Sequence, residues 1–356
     1  MKKSIVLWIM LLFPLLSIGQ VKEPQLFDDP TLVAAKNQEA ELAYNKGIRH
    51  FNGGKFEQAV ASFKQALKHD DKFAKAYLNL GSTQIRLEKY NEAIENLSMA
   101  VKIDSNLAYA YYNRGRAYDL MEDLQNAHAD YSKAIELKLK NANLYYYRGV
   151  IDFRNNEYDG AISDFTIAIN LNPDFTYAYH DRGSARRKVE NYKGAIEDYN
   201  KAIHLDPQMS MAYNNLGSVK RAKGDYKEAI EEYSLAIKMD STMHLAFNNR
   251  GFARYQDKDF EGAVKDYKKA IEIKPDYLYA YNNLGTALIK LHKYEEAIEN
   301  LTKAIEMNPD YGIAYMNRGN AKEMLKDFDG ACADWSKAVE LGVERANDFL
   351  IYCNEK

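Results

Sequence analysis

The phrase "AYNNLG" stands at residues 212–217 and again at 280–285, with "AFNNRG" midway at 246–251, so one phrase returns every 34 residues. Aligned on it, the chain divides into nine contiguous repeats of 34 residues, from Ala40 to Arg345, without an insertion or deletion. The phrase occupies positions 3 to 8 of a repeat. Position 8 is Gly in all nine, from Gly47 to Gly319, and positions 20 and 27 are always Ala, from Ala59 and Ala66 to Ala331 and Ala338. A glycine inside a helix costs about 1 kcal/mol relative to alanine, so nine of them at one phase mark a steric demand that outweighs propensity. Two helices must meet closely there.

Large residues surround the small ones: Tyr77, Tyr111, Tyr145, Tyr179, Tyr213, Phe247, Tyr281 and Tyr315 at position 4, and mostly Tyr or Phe at positions 17 and 24. Turn-tolerant stretches such as "KGD" at 223–225 fill positions 14 to 16, and Pro173, Pro207, Pro275 and Pro309 stop the second helix at position 32. Each repeat therefore reads as helix, turn, helix. The pattern resembles the tetratricopeptide repeat, which has a large residue at 4, small residues at 8, 20 and 27, aromatics at 17 and 24, and Pro at 32. The resemblance implies an all-α chain, a right-handed α-solenoid of nine helix pairs. After Arg345, "ANDFLIYCNEK" (346–356) keeps the register, with Phe349 at position 4 and Cys353 at position 8, and reads as a C-terminal capping half-repeat.

The start, "MKKSIVLWIMLLFPLLSIGQ", has a basic pair, an apolar run and small residues before Gln20. Residues 1–19 read as a secretory signal peptide, because an apolar run of about 15 residues broken by Pro14 falls short of the roughly 20 that span a membrane. An uncleaved anchor is the competing reading. No Cys lies near the cut to accept a lipid, so the expectation is an exported, periplasmic or extracellular protein that is not a lipoprotein and has no membrane insertion after cleavage. Residues 20–39 read as a leader and helix extension, with Asp29 and Pro30 as an N-cap and first-turn pair. Loss of Lys2 and Lys3 takes the formal charge from -3 to -5, which gives no general attraction to nucleic acid or anionic lipid.

Sixteen of the 28 Tyr fall at positions 4, 17 and 24 and so belong to the repeat core. The seven His share no repeat position, and no HExxH or His/Cys cluster suggests a metal or an acid–base site. The expectation is no enzyme, no cofactor and no metal. Cys332 and Cys353 both lie near the C-terminal cap; one reading is a disulfide that staples it, the other a pair of small core residues, Cys332 at position 21 and Cys353 in place of the repeat Gly.

Arginine at position 7 keeps company with aspartate at position 23. Arg114, Arg148, Arg182, Arg250 and Arg318 occur with Asp130, Asp164, Asp198, Asp266 and Asp334, whereas Leu80, Leu216 and Leu284 occur with Asn96, Glu232 and Asn300. Residues 7 and 23 face each other across antiparallel helices that turn near position 15, so these pairs read as structural clamps.

In the family that the repeat resembles, the first helices line a concave face that presents positions 2, 5, 6, 9, 12 and 13 to ligands. Position 6 is Asn45, Asn79, Asn113, Asn215, Asn249, Asn283 and Asn317, broken only by Tyr147 and Asp181, and Asn214, Asn248 and Asn282 double it at position 5. An amide row can pair with the backbone of an extended peptide. The equal alternative is that Asn at this position bonds helix to helix. A similar asparagine ladder lines the repeat superhelix of O-linked N-acetylglucosamine transferase, whose catalytic domain has no counterpart here. Tyr112 and Tyr146 are expected to crowd the N-terminal part of the groove, and Arg187 and Arg221 its middle. The subclass that clamps a C-terminal carboxylate needs Lys at 5 and Asn at 9, and Tyr44 with Ile48 and Leu78 with Ser82 exclude it.

The reading that follows is an exported, non-enzymatic scaffold with a protein or peptide partner in its groove. Its rivals are a passive part of an envelope assembly that uses the convex face or the ends, and a binder of polysaccharide or nucleic acid.

Overall fold

The structure, a computed structural model, describes residues 37–353, Tyr352 without its side chain. The signal segment and the helix start expected at Asp29 lie outside the described residues. Among these, helices account for all regular structure. The first helices of the nine repeats are Gln38–Asn52, Ala74–Arg86, Ala108–Leu120, Ala142–Arg154, Thr176–Lys188, Ser210–Lys223, His244–Gln256, Leu278–Lys290 and Gly312–Met324. The second helices are Phe56–His69, Tyr90–Ile103, Leu124–Glu136, Tyr158–Leu171, Tyr192–Leu205, Tyr226–Met239, Phe260–Ile273, Tyr294–Met307 and Phe328–Glu340. No described helix is long and apolar enough to cross a membrane.

The glycine at position 8 meets the ring or branched side chain at position 24. A Cβ on Gly115 would lie 2.8 Å from Tyr131 Cε1, one on Gly81 2.6 Å from Leu97 Cγ, and one on Gly319 2.5 Å from Trp335 Nε1. Those neighbours are themselves fully buried, so a methyl group there would force the helices apart. Each first helix ends on one residue in the left-handed region at position 15. Only Gly54 and Gly224 of these are glycine; Glu88, Glu122, Asn156, Glu190, Lys258, His292 and Lys326 adopt φ between 58° and 70°. The turn compensates them by bonding the N–H of position 16 back to the carbonyl of position 11, as from Lys89 to Gln84 at 2.9 Å and from Asp123 to Tyr118 at 2.9 Å.

The described residues form two compact bodies, one up to Asn191 and one from Tyr192. Within each, a second helix packs on the first helix of its own repeat and on that of the next. Successive first helices also touch, and successive second helices make no comparable contact, so the first helices form the inner layer of each body. At the C-terminus a short helix, Asn347–Leu350, lays Phe349 on Trp335 with ring centroids 5.2 Å apart, and Cys353 is bonded to Cys332.

Candidate functional site

Two networks cross between repeats, and together they decide what the inner face leaves available. The first is built on position 7. Arg114 donates from Nε and Nη2 to the two carboxylate oxygens of Asp130, both at 2.8 Å, and Arg148 reaches Asp164 in the same way at 2.7 and 2.9 Å. Arg250 with Asp266 and Arg318 with Asp334 repeat the fork, each pair at 2.9 and 2.7 Å. Arg182 belongs to the N-terminal body and Asp198 to the C-terminal one.

The third nitrogen of each arginine performs a task that position 7 and position 23 do not reveal. It donates to the hydroxyl at position 25 of the preceding repeat: Arg114 to Ser98 at 3.1 Å, Arg148 to Ser132 at 3.2 Å, Arg182 to Thr166 at 3.0 Å, Arg250 to Ser234 at 3.0 Å and Arg318 to Thr302 at 3.1 Å. The repeats with Leu80, Leu216 and Leu284 follow Lys64, Asn200 and Lys268. One arginine therefore ties two helices of its own repeat to the repeat before it. Burial pushes the carboxyls of Asp130 and Asp164 up more strongly than the arginine bonds pull them down, while the same bonds raise the pKa of Arg114 and Arg148. Desolvation at the acid thus opposes the attraction, and four repeats, with Lys46, Leu80, Leu216 or Leu284 at position 7, lack the clamp.

The second network is the asparagine row, and it corrects the expected groove. Position 6 faces the seam between successive first helices, where it bonds to position 5 or 9 of the preceding repeat. Asn79 donates to the Tyr44 hydroxyl at 2.7 Å and Asn113 to Ser82 Oγ at 2.7 Å. Asn249 donates to Asn214 at 3.0 Å, Asn283 to Asn248 at 3.0 Å and Asn317 to Asn282 at 2.9 Å. Asn79, Asn113, Asn215, Asn248 and Asn282 are buried, and Asn214, Asn249, Asn283 and Asn317 half-buried. Asp181, the acid in this row, accepts from the Tyr146 hydroxyl at 2.7 Å and pairs with His180 Nδ1 at 2.7 Å, and burial followed by the charge of Asp181 raises the phenol's pKa. Tyr112 is 0% and Tyr146 3% exposed, so both are core and neither lines a groove. Their position 5 is covered because the neighbouring first helix is close.

The inner surface that does reach solvent lies at position 2 and at some residues of positions 9, 12 and 13. In the C-terminal body, position 2 gives a half-exposed apolar file of Met211, Leu245, Tyr279 and Ile313, accompanied by Phe252, Tyr255 and Ile289 from positions 9 and 12. Arg221 sits half-buried over the Phe252 ring, 5.0 Å from its centroid. In the N-terminal body, Arg116 stacks on Tyr147 at 3.8 Å and bonds Asp119 at 2.9 Å, and Arg187 lies half-buried near the end of the last first helix. No group of three or more His, Cys, Asp or Glu side chains among the described residues could hold a metal ion.

Family models described as "Tetratricopeptide repeat" match residues 108–141, 180–244 and 278–311, and one described as "TPR repeat" matches 47–88, 85–121 and 253–292. Together they cover more than half of the chain. The chain belongs to the tetratricopeptide-repeat family. Solved structures similar to this repeat protein include "Crystal structure of MamA protein", 28% identical with a TM-score of 0.43, covering 48% of this chain and 94% of that one. "Crystal structure of MamA" is 27% identical with a TM-score of 0.43 over 46% and 96% of the two chains. "MamA 41-end from Desulfovibrio magneticus RS-1" is 20% identical with a TM-score of 0.44 over 48% and 96%. No curated protein matches. As a tetratricopeptide-repeat protein the chain is a protein-interaction scaffold.

Proposed function

We propose that this protein is an exported, non-enzymatic scaffold that holds an extended segment of a partner protein on the inner face of its first helices. The observation that carries this reading is the half-exposed file of Met211, Leu245, Tyr279 and Ile313, one residue from each successive repeat. Leu245 and Tyr279 also pack against the core around Phe247 and Tyr277, yet all four keep part of their apolar surface in solvent, where side chains of an extended segment can dock. Beside it, Asn249 and Asn283 each use one donor in the seam, which leaves part of each amide for a bound backbone. Site-specific photo-crosslinking tests the placement. A photoreactive residue at Tyr279 should capture a partner chain, and one at the exposed Leu235 of a second helix should not. Capture from Leu235 alone would refute the inner-face placement.

A second reading, assembly through the end of the array, is favoured by one feature. Phe328 is 47% exposed, whereas position 17 of every other repeat is half-buried, and Met324 and Leu325 beside it are 52% and 39% exposed. Binding of polysaccharide or nucleic acid has less support, since Tyr112, Tyr146 and Phe153 are buried and offer no stacking faces.

A further inference from the structure

On the inner layer of the N-terminal body, two arginines pair with acids. Arg116 bonds Asp119 at 2.9 Å, and Arg154 bonds Glu122 at 2.6 Å. Arg187, at position 12, departs from this pattern: its Nε is buried and no acceptor lies within hydrogen-bond reach of it. Beside it stands a second cation, Lys188, whose only described partner is the Tyr158 ring, with Nζ 5.9 Å from the centroid. Burial and then the charge of Arg187 both lower the Lys188 pKa, as expected for two adjacent cations with no acid between them. The chain as a whole is acidic, with a formal charge of -3, so the absence of an acid at this point is local.

We propose that Arg187 and Lys188 form an anion-recognition point that takes neighbouring carboxylates of an acidic segment in the partner protein. The guanidinium supplies a planar fork that a carboxylate fills with two parallel bonds, and the ammonium supplies a second, adjustable donor. Such a ligand relieves the repulsion between the two cations. The proposal rests on the reading that the inner face holds a partner segment and specifies the chemistry of that segment.

Fluorescence anisotropy with a labelled hexaglutamate peptide and the full chain tests it. The peptide should bind the unaltered protein, more weakly as salt is raised. Replacing both residues, Arg187→Gln with Lys188→Gln, should lower the affinity by about tenfold, whereas the charge-preserving exchange Arg187→Lys with Lys188→Arg should restore most of it. Lys188→Gln alone, which removes only a ring contact from the fold, should act in the same direction with a smaller loss. Equal binding by the unaltered chain and the glutamine pair overturns the proposal. So does a lack of hexaglutamate binding when crosslinking from Tyr279 still captures a partner, and in that case the scaffold reading stands without it. If both fail, the scaffold reading falls as well.

Discussion

Replacement of Asp266 by Ala should destabilise the C-terminal body by about 3 to 5 kcal/mol, the cost of stranding buried charge. Asp266 is 3% exposed and accepts from two arginines: the fork of Arg250, at 2.9 and 2.7 Å, and Arg254 Nη1 at 2.8 Å. Removing the acid leaves the Arg250 guanidinium largely desolvated, with only Ser234 as a neutral partner. Exchanging the whole constellation should cost far less. Arg250→Leu with Asp266→Asn, Arg254→Gln and Ser234→Lys copies the Leu80, Asn96, Gln84 and Lys64 combination found at the second repeat, and it should stay within about 1 kcal/mol of the unaltered chain, because a buried pair and its apolar replacement are often nearly equivalent. Urea unfolding of the single and combined variants forms a double-mutant cycle. Simple addition of the Arg250 and Asp266 losses would show that the clamp does not exist.

Loss of the Cys332–Cys353 bond should cost about 3 kcal/mol, because the bond closes a loop across 21 positions and restricts the unfolded chain. The loss should concentrate at the C-terminus. There the cap consists of one short helix, the Trp335–Phe349 stack and the disulfide, so few other contacts hold it. Cys332→Ser with Cys353→Ser should therefore lower the melting temperature and increase amide exchange at Phe349 first. A disulfide in this place also suits an oxidising compartment, in keeping with the proposed export. Two titratable thiols in the non-reduced, exported protein would contradict it.

The helix pairs were legible because their determinants are short-range and repeat: Gly at 8 against a large residue at 24, Ala at 20 and 27, and a turn between. The clamp was legible as the pairing of residue types at 7 and 23. Its third member was equally present in the sequence, since Ser or Thr at 25 precedes every arginine repeat and Lys or Asn every leucine repeat, but it becomes visible only when neighbouring repeats are compared instead of one repeat with itself. The inner face was misread for a different reason. Whether Asn113 or Tyr112 meets water depends on how closely one first helix approaches the next, a distance set by packing between repeats and not by residue type. Polar Asn113 is 0% exposed, while apolar Leu245 and Ile313 are half-exposed. Side-chain polarity points the wrong way at these positions. The left-handed residues at position 15 were hidden likewise, because Glu88 or His292 accepts that strain only where the turn's backbone bonds impose it.

The proposed division between a half-exposed apolar file that binds and an asparagine seam that ties repeat to repeat is tested most directly by one comparison. A peptide selected by display on the unaltered chain is titrated against Met211→Asp with Ile313→Asp, and separately against Asn113→Ala. The file variant should lose at least about tenfold in affinity while its melting temperature stays nearly unchanged. The seam variant should keep its affinity and lose about 1 to 3 kcal/mol of stability, since Ser82 Oγ loses a buried partner. The opposite pattern, with full affinity in the file variant and lost affinity at unchanged stability in the seam variant, would contradict the account.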